Sequence, residues 1–389
     1  MTSQKPLEHR AASGRRKTLF TSLFALAIGV IGAPAAAQSG PIKLGAVLST
    51  TGGLAPFGAD ARPAIELFVE QINAKGGIKG RKLEVIYLND ESKPELALSA
   101  VKRLTQQEKV TAILGPVSQV VTAAAIPTIE ESKTPAMNCN CWYGPLLPYQ
   151  FSTFPAKNMT VVLAEHARAN GSLEIGMMAQ AGALADFLKK NQLPEIEALG
   201  IKVTAFEQFQ ATDNDLTPVL AQLRSKGIKT VYVAASGTQA ALAAKNFKQL
   251  NYPGTYWTFA GNANENYIKL LGDAADVVNI AGTRMLAYQK LPDSDPAKRR
   301  LTEFAEAYKK KTGKDAGTYA AFFYDSMTSL ADGLEKSGDD REKLRDALEN
   351  QRGLVVLNGT INRSKNDHNG LDPDWLNVGI DPVTKTYYL

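Results

Sequence analysis

The chain has few of the residues and none of the short motifs that common enzyme classes use. Its 389 residues include three histidines and two cysteines. It contains no H-E-x-x-H, G-x-S-x-G, G-x-x-x-x-G-K-[ST] or G-x-G-x-x-G pattern. Zinc proteases, serine hydrolases, P-loop enzymes and dinucleotide-binding enzymes therefore lack their usual sequence support. The sequence favours a function other than catalysis, and we expect no cofactor.

A metal site is not expected either. Cys139 and Cys141 are separated by one residue, so a disulfide between them would be strained. Zinc would need ligands beyond these two thiols. Free thiols, buried or lining a cleft, are therefore favoured over a disulfide or a metal site. Asp367–Gly370 has part of a calcium-loop pattern, but Lys365 stands where an oxygen ligand is needed, so we predict a turn there.

An excess of positive charge is confined to the N-terminal segment. The chain has 44 Lys+Arg and 39 Asp+Glu, and residues 1–37 hold five of those bases and one of those acids. Removing this segment leaves 39 basic against 38 acidic residues. Binding to nucleic acid requires a basic surface that neutralises phosphates. The remaining sequence has no such cluster, so no nucleic-acid partner is expected.

Residues 1–37 have the pattern of an export signal. Arg15-Arg16-Lys17 precede a charge-free apolar run, residues 19–31, and three alanines end at Ala37. The alternative is a membrane anchor, but a spanning helix needs about 20 apolar residues, and glycines and a proline interrupt this segment before the alanines. We predict cleavage near Ala37 and a periplasmic mature chain, with the general and twin-arginine export routes both open.

The mature chain alternates short apolar runs with segments of helical periodicity. Ile42–Leu48 predicts a buried first strand, and apolar residues at i, i+3, i+4 and i+7 from Ile65 predict the buried face of a helix capped by Asp60. A second series of strand–helix units begins near Met159. Two such series predict an α/β fold with two mainly parallel sheets flanked by helices, and therefore two lobes.

The loops that follow the predicted strands are rich in Gly, Ser, Thr and Asn. In open α/β sheets, ligands bind beyond the carboxyl ends of the strands. Any one of these loops is explained by turn formation alone, but six in register favour a binding cleft. The loops comprise residues 49–58, 115–119, 138–144, 179–184, 234–239 and 260–264.

The region from Leu44 to Asp90 resembles the start of the leucine/isoleucine/valine-type periplasmic binding proteins of ATP-driven importers. The resemblance rests on the loop closing on Phe57-Gly58 and on the INAKGGIKGRKLE stretch. Three later segments match as well: Ala112–Pro116, Gly317–Tyr324 and Asp367–Leu371. The resemblance covers nearly all of the mature chain.

This resemblance implies a two-lobed periplasmic-binding-protein fold with three interlobe crossovers that closes around a small solute. Lobe 1 would comprise residues 41–155 plus 289–355, and lobe 2 residues 156–288 plus 356–389. Proteins of this family bind the ligand's carboxylate in one lobe. An aromatic residue of their first loop also contacts the ligand. The matching positions are Phe57, Ser118, Gln119, Asn140, Cys141 and Trp142.

Amino-acid binders of this family add an acid and tyrosines from the second lobe. In an ungapped alignment the acid falls at Ala263, beside Asn262, and the tyrosines fall at Leu184 and Ser236. Burying an ammonium group without an anion is costly. The resemblance therefore favours a carboxylate or amide ligand over a free α-amino acid, unless Glu265 or Asp325 supplies the missing charge.

The resemblance implies a monomeric solute-binding protein with two partners. These are a small ligand (an amino acid, an amide or a small aliphatic or aromatic carboxylate) and the membrane permease of an ABC importer. Two other functions stay open at this point. One is a sensor that presents its closed form to a membrane receptor, and the other is an extracytoplasmic enzyme, against which the scarcity of histidine argues.

Overall fold

A computed structural model describes most of the chain beyond the N-terminal segment. The described residues are 40–138, 146–154, 156–169, 171–235, 237–372, 375–381, 383 and 387–388. The predicted export signal lies outside them. So do both cysteines and four of the predicted site residues, namely Asn140, Cys141, Trp142 and Ser236. Among the described helices, none has the length and hydrophobicity needed to cross a membrane.

The first sheet is formed by the N-terminal part of the described chain. Its five strands are all parallel and lie in the order β2-β1-β3-β4-β5. Their bounds are β1 Ile42–Leu48, β2 Leu83–Asn89, β3 Ala112–Leu114, β4 Ala136–Asn138 and β5 Gln150–Ser152. Three helices connect them: α1 Ala55–Ala74, α2 Pro94–Lys102 and α3 Gln119–Glu131. A π-helical turn, Arg103–Gln107, extends α2.

The second sheet has seven strands and is mainly parallel. Its parallel strands are β6 Glu174–Gln180, β7 Lys202–Phe209, β8 Thr230–Ala234, β9 Thr255–Thr258 and β10 Val278–Thr283. Two antiparallel strands from the C-terminal region, β14 Trp375–Ile380 and β15 Tyr387–Tyr388, complete the order β15-β14-β10-β9-β8-β6-β7. Its helices are α4 Ala156–Ala169, α5 Ala183–Phe187, α6 Leu193–Ala198, α7 Thr217–Ser225, α8 Gly237–Gln249 and α9 Glu265–Leu271.

After β10 the chain returns to the first sheet. It forms α10 Lys298–Thr312, α11 Thr318–Ser337 and α12 Arg341–Glu349, followed by the small antiparallel strands β11 Leu354–Val356, β12 Gly359–Ile361 and β13 Leu371–Asp372. Helix α11 packs against α1, where Tyr324 meets the ring of Phe68 edge-on at 5.2 Å. The chain therefore passes between the two main sheets three times, after β5, after β10 and after β13.

The predicted fold class is confirmed, because both main sheets are mainly parallel and flanked by helices. The predicted strand Ile42–Leu48 and the turn at Asp367–Gly370 are also present. The predicted helix cap was wrong: α1 begins at Ala55 with a proline in its first turn, so Asp60 lies inside the helix. Proline favours this start because its fixed φ suits the first turn of a helix.

The buried side chain of Arg363 fixes the small C-terminal sheet to the first sheet. Its guanidinium donates to the carbonyl of His368 at 2.8 Å, to Ser329 Oγ at 2.7 Å and to the carbonyl of Ser152 at 3.0 Å, and it also bonds Gln351 Oε1. These acceptors are neutral, and burial lowers the pKa of Arg363 to about 9. One cation thus joins β5, α11 and the segment that follows α12.

We expect the substitution Arg363→Ala to destabilise the protein by about 3 kcal/mol or more, because it leaves several buried acceptors without a donor. Urea unfolding monitored by circular dichroism measures this change. Arg299→Ala is the matched control, since Arg299 is exposed and pairs with the exposed Glu303. The control should change stability by about 0.5 kcal/mol or less. Equal stabilities of the two variants would contradict the role given to Arg363.

Candidate functional site

The loop after β1 is held in place by the loop after β2. Ser49 Oγ donates to Asp90 Oδ1 at 2.5 Å, and the backbone N–H of Thr50 donates to Asn89 Oδ1 at 2.9 Å. Both bonds cross between neighbouring strands at their carboxyl ends. These two hydrogen bonds therefore hold the loop after β1, residues 49–54, against the loop after β2.

Phe57 lies close to this loop because Gly58 has no side chain. A Cβ at Gly58 would come within 2.2 Å of the Ser49 carbonyl oxygen, so a larger residue would push α1 away from β1. Phe57 is buried and stacks on Tyr319, with 4.4 Å between ring centroids. The predicted aromatic residue is thus at the carboxyl end of β1, and Tyr319 covers one of its faces.

Ser118 and Gln119 lie at the carboxyl end of β3, where α3 begins. Gly115 precedes them with a φ of +84°, and a Cβ there would come within 2.2 Å of the Val47 carbonyl oxygen. Ser118 caps α3 by accepting a hydrogen bond from the N–H of Val121 at 3.4 Å. Gln119 Oε1 is buried and has no hydrogen-bond partner within the described part of the chain. Among the described residues, the acceptor of this amide is therefore unused.

Asn262 holds together two loops at the carboxyl end of the second sheet. Its Nδ2 donates to the Ala235 carbonyl at 2.8 Å and to Thr258 Oγ1 at 2.7 Å. Its Oδ1 accepts from the N–H of Gly237 at 3.0 Å. The side chain is 1% exposed. Because these bonds occupy both of its N–H donors, Asn262 positions the loops after β8 and β9.

The other two described positions of the second sheet are apolar. Ala263 follows the short helical turn Ala260–Asn262 and is 2% exposed. Leu184 lies in the first turn of α5, beyond the carboxyl end of β6, and is 37% exposed. Neither side chain offers a charge or a hydrogen bond to a ligand. Any polar contact from Ala263 must come from its backbone.

The two main sheets meet at the start of α11. A Cβ placed on Gly317, the residue before this helix, would lie 2.5 Å from Asp60 Oδ2 and 3.5 Å from the Ala263 carbonyl oxygen. Helix α1, the start of α11 and the loop after β9 therefore converge on one point. Since Phe57 stacks on Tyr319 nearby, the structure brings Phe57 and Ala263 into the same region. Within the described residues, no hydrogen bond joins Ser118 or Gln119 to this group.

A cavity of about 400 Å³ opens beside this point. Residues of α1, α9 and α10 and of the segment after α10 line it, including Asp60, Asn264, Glu265, Tyr308 and Lys314. Burial raises the pKa of Asp60 to about 6, with an opposing effect of Lys314 and a reinforcing effect of Glu265. The sequence pattern did not indicate Asp60 as a site residue. Its spacing from Phe57 could have indicated it, because a residue three positions further along a helix lies on the same side of that helix.

The two acids that the sequence offered as a replacement charge have other partners. Asp325 is fully buried, and its carboxylate accepts from the N–H groups of Leu357 and Asn358 at 2.7 and 3.1 Å. It therefore fixes the turn between β11 and β12. Glu265 lines the cavity but pairs with Lys269 at 2.7 Å.

The sequence model of a family described as "Periplasmic binding protein" matches residues 41–376. A relative from Pseudomonas aeruginosa, the "Leucine-, isoleucine-, valine-, threonine-, and alanine-binding protein", is 26% identical over 318 residues, which cover 79% of this chain and 82% of the relative.

Solved structures share the fold. An extracellular ligand-binding receptor from Rhodopseudomonas palustris HaA2 aligns with a TM-score of 0.80 and 24% identity, covering 90% of this chain and 99% of the receptor. The substrate-binding protein LivJ from Streptococcus pneumoniae, solved with isoleucine, aligns with a TM-score of 0.76 and 20% identity over 88% of this chain and 97% of LivJ. Since the family model covers most of the sequence, the chain belongs to the periplasmic binding protein family.

Proposed function

We propose that this protein captures a small solute between its two lobes in the periplasm and delivers it to an ABC-type importer. The observation that carries this proposal is the meeting of α1, α11 and the loop after β9 beside a cavity of about 400 Å³. In this proposal each main sheet with its helices is one lobe, and the three connecting passages form the hinge. Ligand-driven hinge closure is the motion expected of such a binding protein.

The relatives and the site support a proposal for the class of solute. The Pseudomonas aeruginosa relative is named for binding five amino acids, and LivJ was solved with isoleucine. The site adds the buried aromatic ring of Phe57 and the amide oxygen of Gln119, which has no hydrogen-bond partner among the described residues. We propose an amino acid, an amide or a small aliphatic or aromatic carboxylate as the ligand.

Isothermal titration calorimetry on the mature chain, unfolded and refolded to remove any bound ligand, tests solute binding. The panel comprises amino acids, their amides and small aliphatic and aromatic acids. We expect at least one compound to bind with a dissociation constant near 1 μM, equivalent to about 8 kcal/mol. A refolded protein that gives no binding heat with any member would contradict the proposal.

Delivery to an importer requires a cellular measurement. Cells that lack this protein should take up the identified ligand more slowly, by about tenfold or more at ligand concentrations below the dissociation constant. Expression of the intact chain should restore uptake. Unchanged uptake in cells without the protein would contradict delivery while leaving solute binding intact.

We expect Asn262→Ala to weaken ligand binding by about tenfold or more, because the Ala235 carbonyl and the Gly237 N–H lose their partner and the two loops separate. Calorimetry with the identified ligand measures this loss. Asn279→Ala is the matched control, since Asn279 Nδ2 also donates to a carbonyl of the second sheet, that of Tyr256, but near the amino ends of β9 and β10.

The control should lower the unfolding temperature and leave the dissociation constant within about twofold. Equal losses of affinity in both asparagine variants would show that Asn262 acts through general stability rather than through the loops.

A further inference from the structure

Two of the three passages between the main sheets are short. One runs from the end of β5 at Ser152 to α4 at Ala156, and the other runs from the end of β13 at Asp372 to β14 at Trp375. The remaining passage, residues 284–297 between β10 and α10, is longer. Short connections permit fewer relative orientations of two bodies than long ones do. The two short passages therefore restrict most strongly how the proposed lobes can turn.

The short passage after β5 is anchored to α11 in the first lobe. Thr153 Oγ1 donates to the carbonyl of Phe322 at 3.1 Å and lies 2.7 Å from Ser326 Oγ. The side chain of Phe154 is 3% exposed, and its ring packs against those of Phe322 and Tyr319, with centroids 4.9 and 6.0 Å apart. This passage is therefore held against the first lobe up to and including Phe154.

The side chain of Asn369 joins this passage to the other short one. Its Nδ2 donates to the carbonyl of Phe154 at 2.7 Å, and its Oδ1 accepts from the N–H of Leu371, the first residue of β13, at 3.2 Å. The backbone N–H of Asn369 donates to Asp367 Oδ1 at 2.9 Å, which fixes the turn that carries the amide. One amide thus bonds the last anchored residue of the passage after β5 and the strand that leads into the passage after β13.

A hydrogen bond between two connections affects how they bend. With the bond between Asn369 and Phe154 in place, both short passages leave the first lobe from one fixed point, so the second lobe turns about an axis through that point. Without it, each passage bends at its own position, and the ligand-free protein gains lobe orientations. Closure around a ligand has to remove this extra freedom, so its free-energy cost rises and binding weakens.

We propose that Asn369 is a positioning residue of the hinge, whose side-chain amide couples the two short passages and thereby lowers the free-energy cost of closure. This inference rests on the proposed function, which supplies the closing motion. Asn369 lies at the start of the passages rather than at the cavity beside α1, so its effect on binding is exerted through the hinge.

Asn369→Ala tests the coupling, and Asn73→Ala is its matched control. Asn73 also donates from Nδ2 to a carbonyl and accepts at Oδ1 from an N–H, both of Leu83, at 2.8 and 2.7 Å, but it joins α1 to β2 within the first lobe. We expect Asn369→Ala to weaken binding of the tightest-binding compound of the calorimetric panel by about threefold to tenfold. The control should leave that dissociation constant within about twofold, although both variants should unfold at a lower temperature.

Asn369→Asp separates the two hydrogen bonds of the amide. The carboxylate has the size of the amide and keeps an acceptor for the N–H of Leu371, but it has no N–H for the carbonyl of Phe154. The affinity of this variant should fall at least as far as that of Asn369→Ala. An affinity equal to that of the unmodified protein would show that the bond to Phe154 has no effect on closure and would overturn the proposal.

The freedom of the lobes in the ligand-free protein gives an independent test. Spin labels on the exposed positions Glu95 of α2 and Gln222 of α7 report the distance between the lobes by double electron–electron resonance. Attachment through genetically encoded ketone-bearing residues leaves the native cysteines unlabelled. We expect Asn369→Ala and Asn369→Asp to broaden the distance distribution, and Asn73→Ala to leave its width unchanged.

The outcomes separate the two proposals. Distance distributions of equal width in all four proteins would overturn the coupling, whether or not a ligand has been identified. Equal losses of affinity in Asn369→Ala and Asn73→Ala would also overturn it, since general destabilisation then explains both. Failure of every panel compound to bind the unmodified protein would instead contradict the proposed function, and the distance distributions alone would then decide on the coupling.

Discussion

The close approach of backbone segments at the carboxyl ends of the strands is the constraint on which the site depends. Gly58 lets α1 lie against the loop after β1, and Gly115 lets the loop after β3 lie against Val47. Gly317 does the same where α11 begins, beside the Asp60 carboxylate. A Cβ at any of these positions would come within 2.5 Å of an oxygen atom. The loops of the site can therefore pack this closely because glycines stand where their backbones meet.

Hydrogen bonds from polar side chains then hold these closely packed loops in position. Asn262 bonds the loops after β8 and β9 to each other, and Ser49 bonds the loop after β1 to that after β2. Arg363 performs a similar task away from the cavity, where it joins Ser152, at the end of β5, to α11 and the small C-terminal sheet. These hydrogen bonds hold the loops within each sheet, so in the proposed function the closing motion would occur at the connecting passages.

The sequence predicted the parts of this structure that repeat locally. Ile42–Leu48 is a continuous apolar run, and the spacing from Ile65 marks a buried helix face, so both could be assigned from neighbouring residues alone. Strand β14 pairs with β10 from about 100 residues away along the chain, and no local pattern indicates such a partner. The sequence pattern predicts Asp60 as a helix cap because aspartate favours that position. Its place at the cavity depends on α11, which follows more than 250 residues later.

The central claim is that a small molecule is held where the two main sheets meet. A crystal structure of the refolded protein with its calorimetrically identified ligand tests this most directly. We expect electron density for the ligand between α1 and the loop after β9, in contact with Phe57. Density for the ligand on an outer face of either sheet, with this cavity unchanged, would contradict it.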